Sequence, residues 1–156
     1  MKVTFERIDL DGIQRLADLL VQHLGQPLTI GMIGTLGAGK TSLTQAITRA
    51  AGIDAADVTS PTFTLQQTHV GQFTIHHLDA YRLADEDEFL ELGVEELFEQ
   101  ADAWTIVEWA DRVEAVMPLE TLWLTIEIES ESHRRVTIDS SQNDEQLKLI
   151  AGKFQS

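Results

Sequence analysis

The chain has 156 residues, of which 43% are hydrophobic and 24% are charged, a balance that excludes collagen-like and wholly disordered classes. It contains 11 Lys and Arg residues against 26 Asp and Glu residues, so its formal net charge is −15. A protein this acidic lacks the positive surface that unaided binding to DNA, RNA or an anionic membrane requires. The absence of Cys excludes disulfides, Cys–zinc sites and thiol catalysis.

The first predicted elements alternate between strand and helix. Asp11 and Gln14 form a capping-box pattern at the start of an amphipathic stretch, and Gly52 follows a second one. The elements are an edge strand over residues 3–8, a helix over 11–24, a buried strand of the parallel type over 28–33, a glycine-rich turn and a second helix that presents Leu43, Ala46, Ile47 and Ala50 on one face.

The later elements are mostly strands, and Gly71 and Gly93 interrupt the pattern. They are two strands over 63–70 and 72–79 joined as a hairpin at Gly71, a helical stretch over 85–100 broken at Gly93, a buried strand over 104–107, an antiparallel pair over 122–128 and 134–138, and a terminal helix over 143–153. This succession predicts an α/β sandwich with a mixed sheet. No signal peptide, membrane span, repeat or linker is recognisable, so we expect one cytoplasmic domain over 1–156.

The turn after the first buried strand matches the phosphate-loop pattern G-x-x-x-x-G-K-[ST] at every fixed position. Glycines let backbone N–H groups face a phosphate, and the helix that follows adds the positive end of its dipole. We expect Lys40 to reach the β- and γ-phosphates and Thr41 to bind Mg²⁺. The pattern predicts a P-loop NTPase-type three-layer sandwich with a mixed, largely parallel central sheet, in which nucleotide is bound by Gly34, Thr35, Leu36, Gly37, Ala38, Gly39, Lys40, Thr41 and Ser42.

A phosphate-loop enzyme also needs a carboxylate near its metal ion, usually at the end of a neighbouring apolar strand. Asp79 ends one predicted strand and Glu108 ends another. Each fits the requirement, and each also fits an ordinary solvated acid in a chain with 26 of them. His76 and His77 precede Asp79, but neighbouring strand residues point to opposite faces, which disfavours a His-based metal site.

Four segments together resemble the TsaE (YjeE) family, the ATPase subunit of the bacterial machinery that makes threonylcarbamoyladenosine in tRNA. They are the turn over 34–41, Ser60-Pro61-Thr62-Phe63, His77-Leu78-Asp79-Ala80-Tyr81-Arg82 and Glu108-Trp109-Ala110-Asp111-Arg112. Their order and spacing match the family over residues 28–112. The phosphate loop alone is generic, whereas its combination with the other three segments is specific.

The resemblance implies binding of ATP and Mg²⁺ and slow ATP hydrolysis, in support of N6-threonylcarbamoylation of adenosine 37 in tRNAs that read ANN codons. It implies a TsaB–TsaD complex as the partner. It also implies that tRNA is contacted only indirectly and that the chain does not bind DNA directly. By motif match, the expected catalytic residues are Lys40, Asp79 and Glu108, and the expected metal ligands are Thr41, Asp79 and Glu108. Ser60 and Thr62 are placed near the γ-phosphate, and Tyr81, Arg82 and Trp109 at the pocket wall or on the partner-facing surface.

Two further features bear on this function. Thr35 stands where the family's loop usually carries an acid, and this departure is compatible with slower hydrolysis. Residues 85–102 hold nine carboxylates and no Lys or Arg, a composition typical of a solvated helix face and also of a surface that docks on a basic partner.

Other functions use the same loop. A small-molecule kinase clamps its acceptor with arginines, and only Arg49, Arg82 and Arg112 lie in the motif-bearing part after the loop. A GTPase is disfavoured because the chain has no N-K-x-D motif and no D-x-x-G after the second group of strands. A kinase and a catalytically weak, nucleotide-dependent adaptor remain the alternatives.

Overall fold

A computed structural model describes residues 1–35, 37–54 and 66–155. Within them, the strands are β1 (Lys2–Ile8), β2 (Leu28–Ile33), β3 (Gln66–Val70), β4 (Thr74–Asp79), β5 (Ala103–Glu108), β6 (Leu122–Ile128) and β7 (Arg134–Asp139). The helices are α1 (Leu10–His23), α2 (Lys40–Ala50), α3 (Glu86–Leu90), α4 (Val94–Glu99) and α5 (Asp144–Gln155), with a 3-10 segment at Ala110–Val116. None of the helices in this part of the chain has the length and apolar surface needed to cross a membrane.

The seven strands form one sheet in the order β1-β7-β6-β2-β5-β4-β3. The four neighbours β6, β2, β5 and β4 pair in parallel, whereas β7 joins β6, β1 joins β7 and β3 joins β4 in antiparallel fashion. The predicted mixed sheet is therefore confirmed, with parallel pairing at its centre. The edge position of β1 and the hairpin around Gly71 are confirmed as well, although the strand predicted from residue 63 is described only from Gln66 onward.

Apolar side chains on the two faces of the sheet form two cores, which explains the layers of helices. On β5, Trp104 and Ile106 belong to the core beneath α1, α2 and α5, while Val107 faces the core beneath α3, α4 and the 3-10 segment. Because successive strand residues point to opposite faces, one buried strand serves both cores. The predicted three-layer arrangement follows from this alternation.

The start of α1 differs from the prediction. Its N-cap is Asp9, whose carboxylate accepts a hydrogen bond from the Gly12 N–H at 2.8 Å. The Gln14 side chain does not form the capping-box hydrogen bond back to residue 11. Its amide donates instead to Asp18 and to the Ala46 carbonyl of α2 at 3.0 Å each. The capping box at Asp11 is thus wrong, because the helix begins earlier and Gln14 links two helices.

Candidate functional site

The glycine-rich turn joins the C-terminal end of β2 to the N-terminus of α2. Gly37 and Gly39 have φ values of +80° and +111°, a left-handed backbone that side chains with a Cβ rarely adopt. The Ala38 N–H donates to the Thr35 carbonyl at 3.0 Å and closes the turn. The N-cap residue of α2 is Gly39, which has no side chain to cap the helix, so the first amides of α2 are directed to a ligand or to water.

Gly34 is required for a different reason, the close approach of β6. A Cβ built on Gly34 would lie 2.9 Å from the Ile126 carbonyl oxygen, closer than real Cβ atoms come to backbone. The Gly34 carbonyl in turn accepts a hydrogen bond from Lys40. The first residue of the turn is therefore fixed against β6 on one side and against the lysine on the other.

Lys40 is almost entirely buried, with 5% of its surface exposed. Its Nζ donates to the Gly34 and Thr35 carbonyls at 2.6 and 3.0 Å and lies 4.0 Å from the centroid of the Trp109 ring, a cation–π contact. Burial lowers the pKa of the Lys40 ammonium, and the carboxylates of Glu108, Asp79 and Asp111 oppose that shift.

The two predicted carboxylates lie side by side. Asp79 and Glu108 are the last residues of β4 and β5, occupy the same register position on these parallel strands, and are both buried. The Thr41 hydroxyl donates to Oε1 of Glu108 at 3.2 Å, and Oδ1 of Asp79 accepts the Tyr81 N–H at 2.8 Å. The carboxyl ends of parallel strands share one edge of a sheet, which is how residues 29 positions apart in the sequence meet the start of α2.

A cavity of about 450 Å³ lies between the turn and these carboxylates. The predicted site residues that line it are Gly37, Gly39, Lys40, Thr41, Ser42, Asp79, Glu108 and Trp109. Tyr81 and Arg82 also line it, and the Tyr81 ring packs against Trp109 with the centroids 4.8 Å apart and the ring planes tilted by 43°. Leu36, Ser60 and Thr62, which the sequence also assigned to the site, lie outside the described residues.

The donor set of this cavity fits Mg²⁺ bound together with phosphate. Within residues 1–35, 37–54 and 66–155, no group of three or more His, Cys, Asp or Glu side chains is arranged to hold a metal ion. Mg²⁺ usually needs no such cage, since it takes one or two carboxylates and completes its shell with water and substrate phosphates. Thr41 and Glu108, in contact beside the amides of α2, provide that kind of partial site.

A second cavity of about 550 Å³ adjoins the same turn through Ala38, Gly39 and Ser42. Its apolar walls come from β1, α1 and β6 and are Ile8, Ile13 and Ile126. Its charged residues are Asp11 of α1, Glu131 of the segment before β7, and Arg134 at the start of β7. Arg134 Nε donates to the Ala38 carbonyl at 2.8 Å, which ties the turn to β7. No motif pointed to Arg134, because this contact joins segments 96 residues apart.

His77 is a further site residue that the motifs alone did not assign. Its ring is fully buried in β4, and Nε2 is hydrogen-bonded to Oε2 of Glu108. The alternation of strand residues does contain a signal, because it places His77 and Asp79 on the same face of β4. His76 lies on the other face and contacts Thr68 and Gln100, as the opposed directions of the two histidines predict.

Comparison with known proteins identifies the family of the chain. Residues 9–137 match the family described as "Threonylcarbamoyl adenosine biosynthesis protein TsaE". The chain belongs to the TsaE family. Proteins named tRNA threonylcarbamoyladenosine biosynthesis protein TsaE are similar to it: that of Treponema pallidum is 32% identical over 105 residues (67% of this chain, 76% of the relative), and that of Bacillus subtilis is 36% identical over 111 residues (70% and 68%).

Longer stretches align with other TsaE relatives and with a solved structure. The Rickettsia felis TsaE is 31% identical over 135 residues, covering 86% of this chain and 78% of the relative. The crystal structure of YdiB from Bacillus subtilis matches with a TM-score of 0.76 and 22% identity, over 99% of this chain and 95% of that one. The sequence resemblance to the TsaE family is thus confirmed, and the structural likeness confirms the α/β fold.

Proposed function

We propose that this TsaE-family protein binds ATP with Mg²⁺, hydrolyses it slowly, and supports N6-threonylcarbamoylation of adenosine 37 in tRNAs that read ANN codons, together with TsaB and TsaD. Family membership supports the tRNA-modification part of this proposal. One observation carries the ATPase part: the uncapped start of α2, the buried Lys40 and two strand-end carboxylates face one another across a single cavity.

Each residue of the cavity has a role in this proposal. The amides of the glycine turn and the Lys40 ammonium bind the phosphates. Thr41 and Glu108 hold Mg²⁺, which on binding neutralises charge on the phosphate oxygens, and Asp79 provides a second carboxylate at the same edge. The Trp109 ring covers the Lys40 ammonium and keeps water away from that side of the phosphate-binding turn.

The second cavity is the proposed position of the base. It adjoins Ala38, Gly39 and Ser42 on the phosphate-binding turn, and its isoleucine side chains provide apolar walls for a planar ring. Carboxylates such as Asp11 and Glu131 accept hydrogen bonds but cannot donate them. They can accept from the 6-amino group of adenine, but guanine also carries donors, at N1 and at its 2-amino group, so these carboxylates alone do not select the base. The expectation that ATP binds more tightly than GTP rests on the absence of an N-K-x-D motif from the sequence.

The exposed acidic surface supports a role for a basic partner. It is formed by α3, α4 and the residues beside them. Its exposed acidic residues are Asp85, Asp87, Glu91, Glu95, Glu96, Glu99 and Asp102, and Glu86 and Glu88 are half-buried. No Lys or Arg interrupts the segment. A single-sign patch of this kind accelerates encounter with a surface of opposite charge.

Calorimetric titration with Mg·ATP and Mg·GTP, followed by phosphate-release assays, tests the proposal. We expect ATP to bind more tightly than GTP, slow phosphate release without any acceptor, and faster release once TsaB, TsaD and tRNA are added. Transfer of labelled phosphate to a metabolite would favour the kinase instead. The absence of heat with every purine nucleotide would overturn the ATPase proposal.

A further inference from the structure

The Glu108 carboxylate is held by two side chains from different elements. On one oxygen, Oε1, it accepts the Thr41 hydroxyl of α2 at 3.2 Å, and the same hydroxyl lies 3.5 Å from Oε2. On the other, Oε2, it is hydrogen-bonded to the ring Nε2 of His77 in β4. An ionised carboxylate only accepts hydrogen bonds, so the Nε2 atom of His77 carries the hydrogen.

Packing alone does not explain a histidine at position 77. The ring is fully buried, and its other nitrogen, Nδ1, has no hydrogen-bond partner among the described residues. A buried polar atom without a partner costs free energy that an apolar side chain of similar size would avoid. At His76, by contrast, both ring nitrogens are paired, with Thr68 at 3.0 Å and with Gln100 at 2.8 Å.

The bond to Glu108 accounts for the histidine. The terminal torsion of a glutamate side chain is broad and weakly restrained. The Thr41 hydroxyl lies 3.2 Å from Oε1 and 3.5 Å from Oε2, and its single hydrogen holds the carboxylate from one side only. A second donor, the His77 ring at Oε2, restrains that torsion further. Such outer contacts to a metal-binding carboxylate orient it and raise metal affinity.

We propose that His77 is a positioning residue that fixes the Glu108 carboxylate toward Thr41 and the metal side of the cavity. This inference rests on the proposed function, because it assigns Glu108 to Mg·ATP. The histidine acts through Glu108 and has no contact with nucleotide in this proposal. Its effect should therefore appear in the dependence on Mg²⁺ and not in nucleotide binding without metal.

Two substitutions at position 77 separate the effect of the hydrogen-bond donor from the effect of the volume of the ring. His77→Gln retains an amide N–H at the same number of bonds from Cβ as Nε2, whereas His77→Met has similar length and no donor. We expect His77→Met to raise the Mg²⁺ concentration for half-maximal ATP hydrolysis by about 10- to 100-fold, with ATP affinity in EDTA unchanged. His77→Gln should restore most of the Mg²⁺ dependence of the parent.

His76→Met is the matched control, since it removes a buried histidine from the opposite face of the same strand. It should leave the Mg²⁺ dependence unaltered, and thermal unfolding of all three variants reports any loss of fold. A Mg²⁺ dependence of His77→Met equal to that of the parent overturns the inference. So does an equal shift in His76→Met, or failure of His77→Gln to restore the parent's behaviour.

A measurement without metal or nucleotide keeps this inference distinct from the proposed function. In the ¹⁵N-labelled parent, the Nε2–H of His77 should give a ring proton signal protected from exchange, identified by its disappearance in His77→Gln. Glu108→Ala should abolish the protection, because the acceptor is lost. If the parent shows protection but binds no nucleotide, the proposed function fails alone; if the signal is unprotected in the parent, the positioning role fails whatever the nucleotide result.

Discussion

Replacing Lys40 with Met separates nucleotide binding from folding, because it removes the ammonium and retains most of the apolar stem. The ammonium already donates to the Gly34 and Thr35 carbonyls at 2.6 and 3.0 Å. Phosphate binding therefore exchanges hydrogen bonds and does not simply add them. We take the net contribution as that of one hydrogen bond to a charged group, about 1.5–3 kcal/mol, which corresponds to about a 10- to 150-fold increase in Kd.

Isothermal titration calorimetry with Mg·ATP measures this change directly. Lys148→Met is the matched control, since Lys148 is exposed on α5 and its loss should leave the Kd for Mg·ATP unaltered. Circular dichroism establishes that both variants are folded. A Kd for Lys40→Met within about threefold of the parent's would refute the assignment of this lysine to the phosphates.

The same variant tests the electrostatic cost of burying Lys40. Its pKa is lowered from 10.5 in the folded protein, chiefly by burial, so the unfolded chain holds more protons between that lowered pKa and pH 10.5. Stability in this window therefore rises with pH in the parent and not in Lys40→Met. In urea unfolding without metal, the parent should gain stability relative to the variant between about pH 7 and about pH 10; a relative loss would contradict the direction of the shift.

Three other predictions concern the metal side, the core and the acidic surface. Glu108→Gln should retain ATP binding and slow phosphate release by about 100-fold; parent-like turnover would contradict its role. In urea unfolding, Gly31→Ala should destabilise the fold by about 1–3 kcal/mol, since its Cβ would lie 2.8 Å from the β6 tryptophan ring. At Gly152 an added Cβ meets no heavy atom within 4 Å outside the backbone of its own helix, so Gly152→Ala should stabilise α5 by about 0.5–1 kcal/mol. Equal changes in the free energy of unfolding for Gly31→Ala and Gly152→Ala would refute the packing argument. Glu95→Gln with Glu96→Gln should slow association with TsaB–TsaD at low salt only, measured by stopped flow; a salt-independent effect would exclude steering.

Local patterns explain how much of the fold could be predicted. The apolar run over 28–33 coincides with β2, and the left-handed glycines of the turn stand where the phosphate-loop pattern places them. Both depend on residues close in sequence, through side-chain alternation and backbone conformation. The kinked 3-10 segment Ala110–Val116 escaped prediction because its short, irregular turns follow neither the helical nor the strand period.

The glycine-rich turn, the helix after it and the two strand-end carboxylates could be read from the sequence alone, because each depends on a few consecutive residues. Their surroundings depend on how distant segments pack together. The placement of β6 beside β2 brings the Ile126 carbonyl against Gly34, and the pairing of β4 with β5 puts His77 against Glu108. Strand order is set by the packing of whole faces and by closure of long loops. No local pattern of residues records those energies, so the second cavity and the histidine contact emerge only from the folded chain.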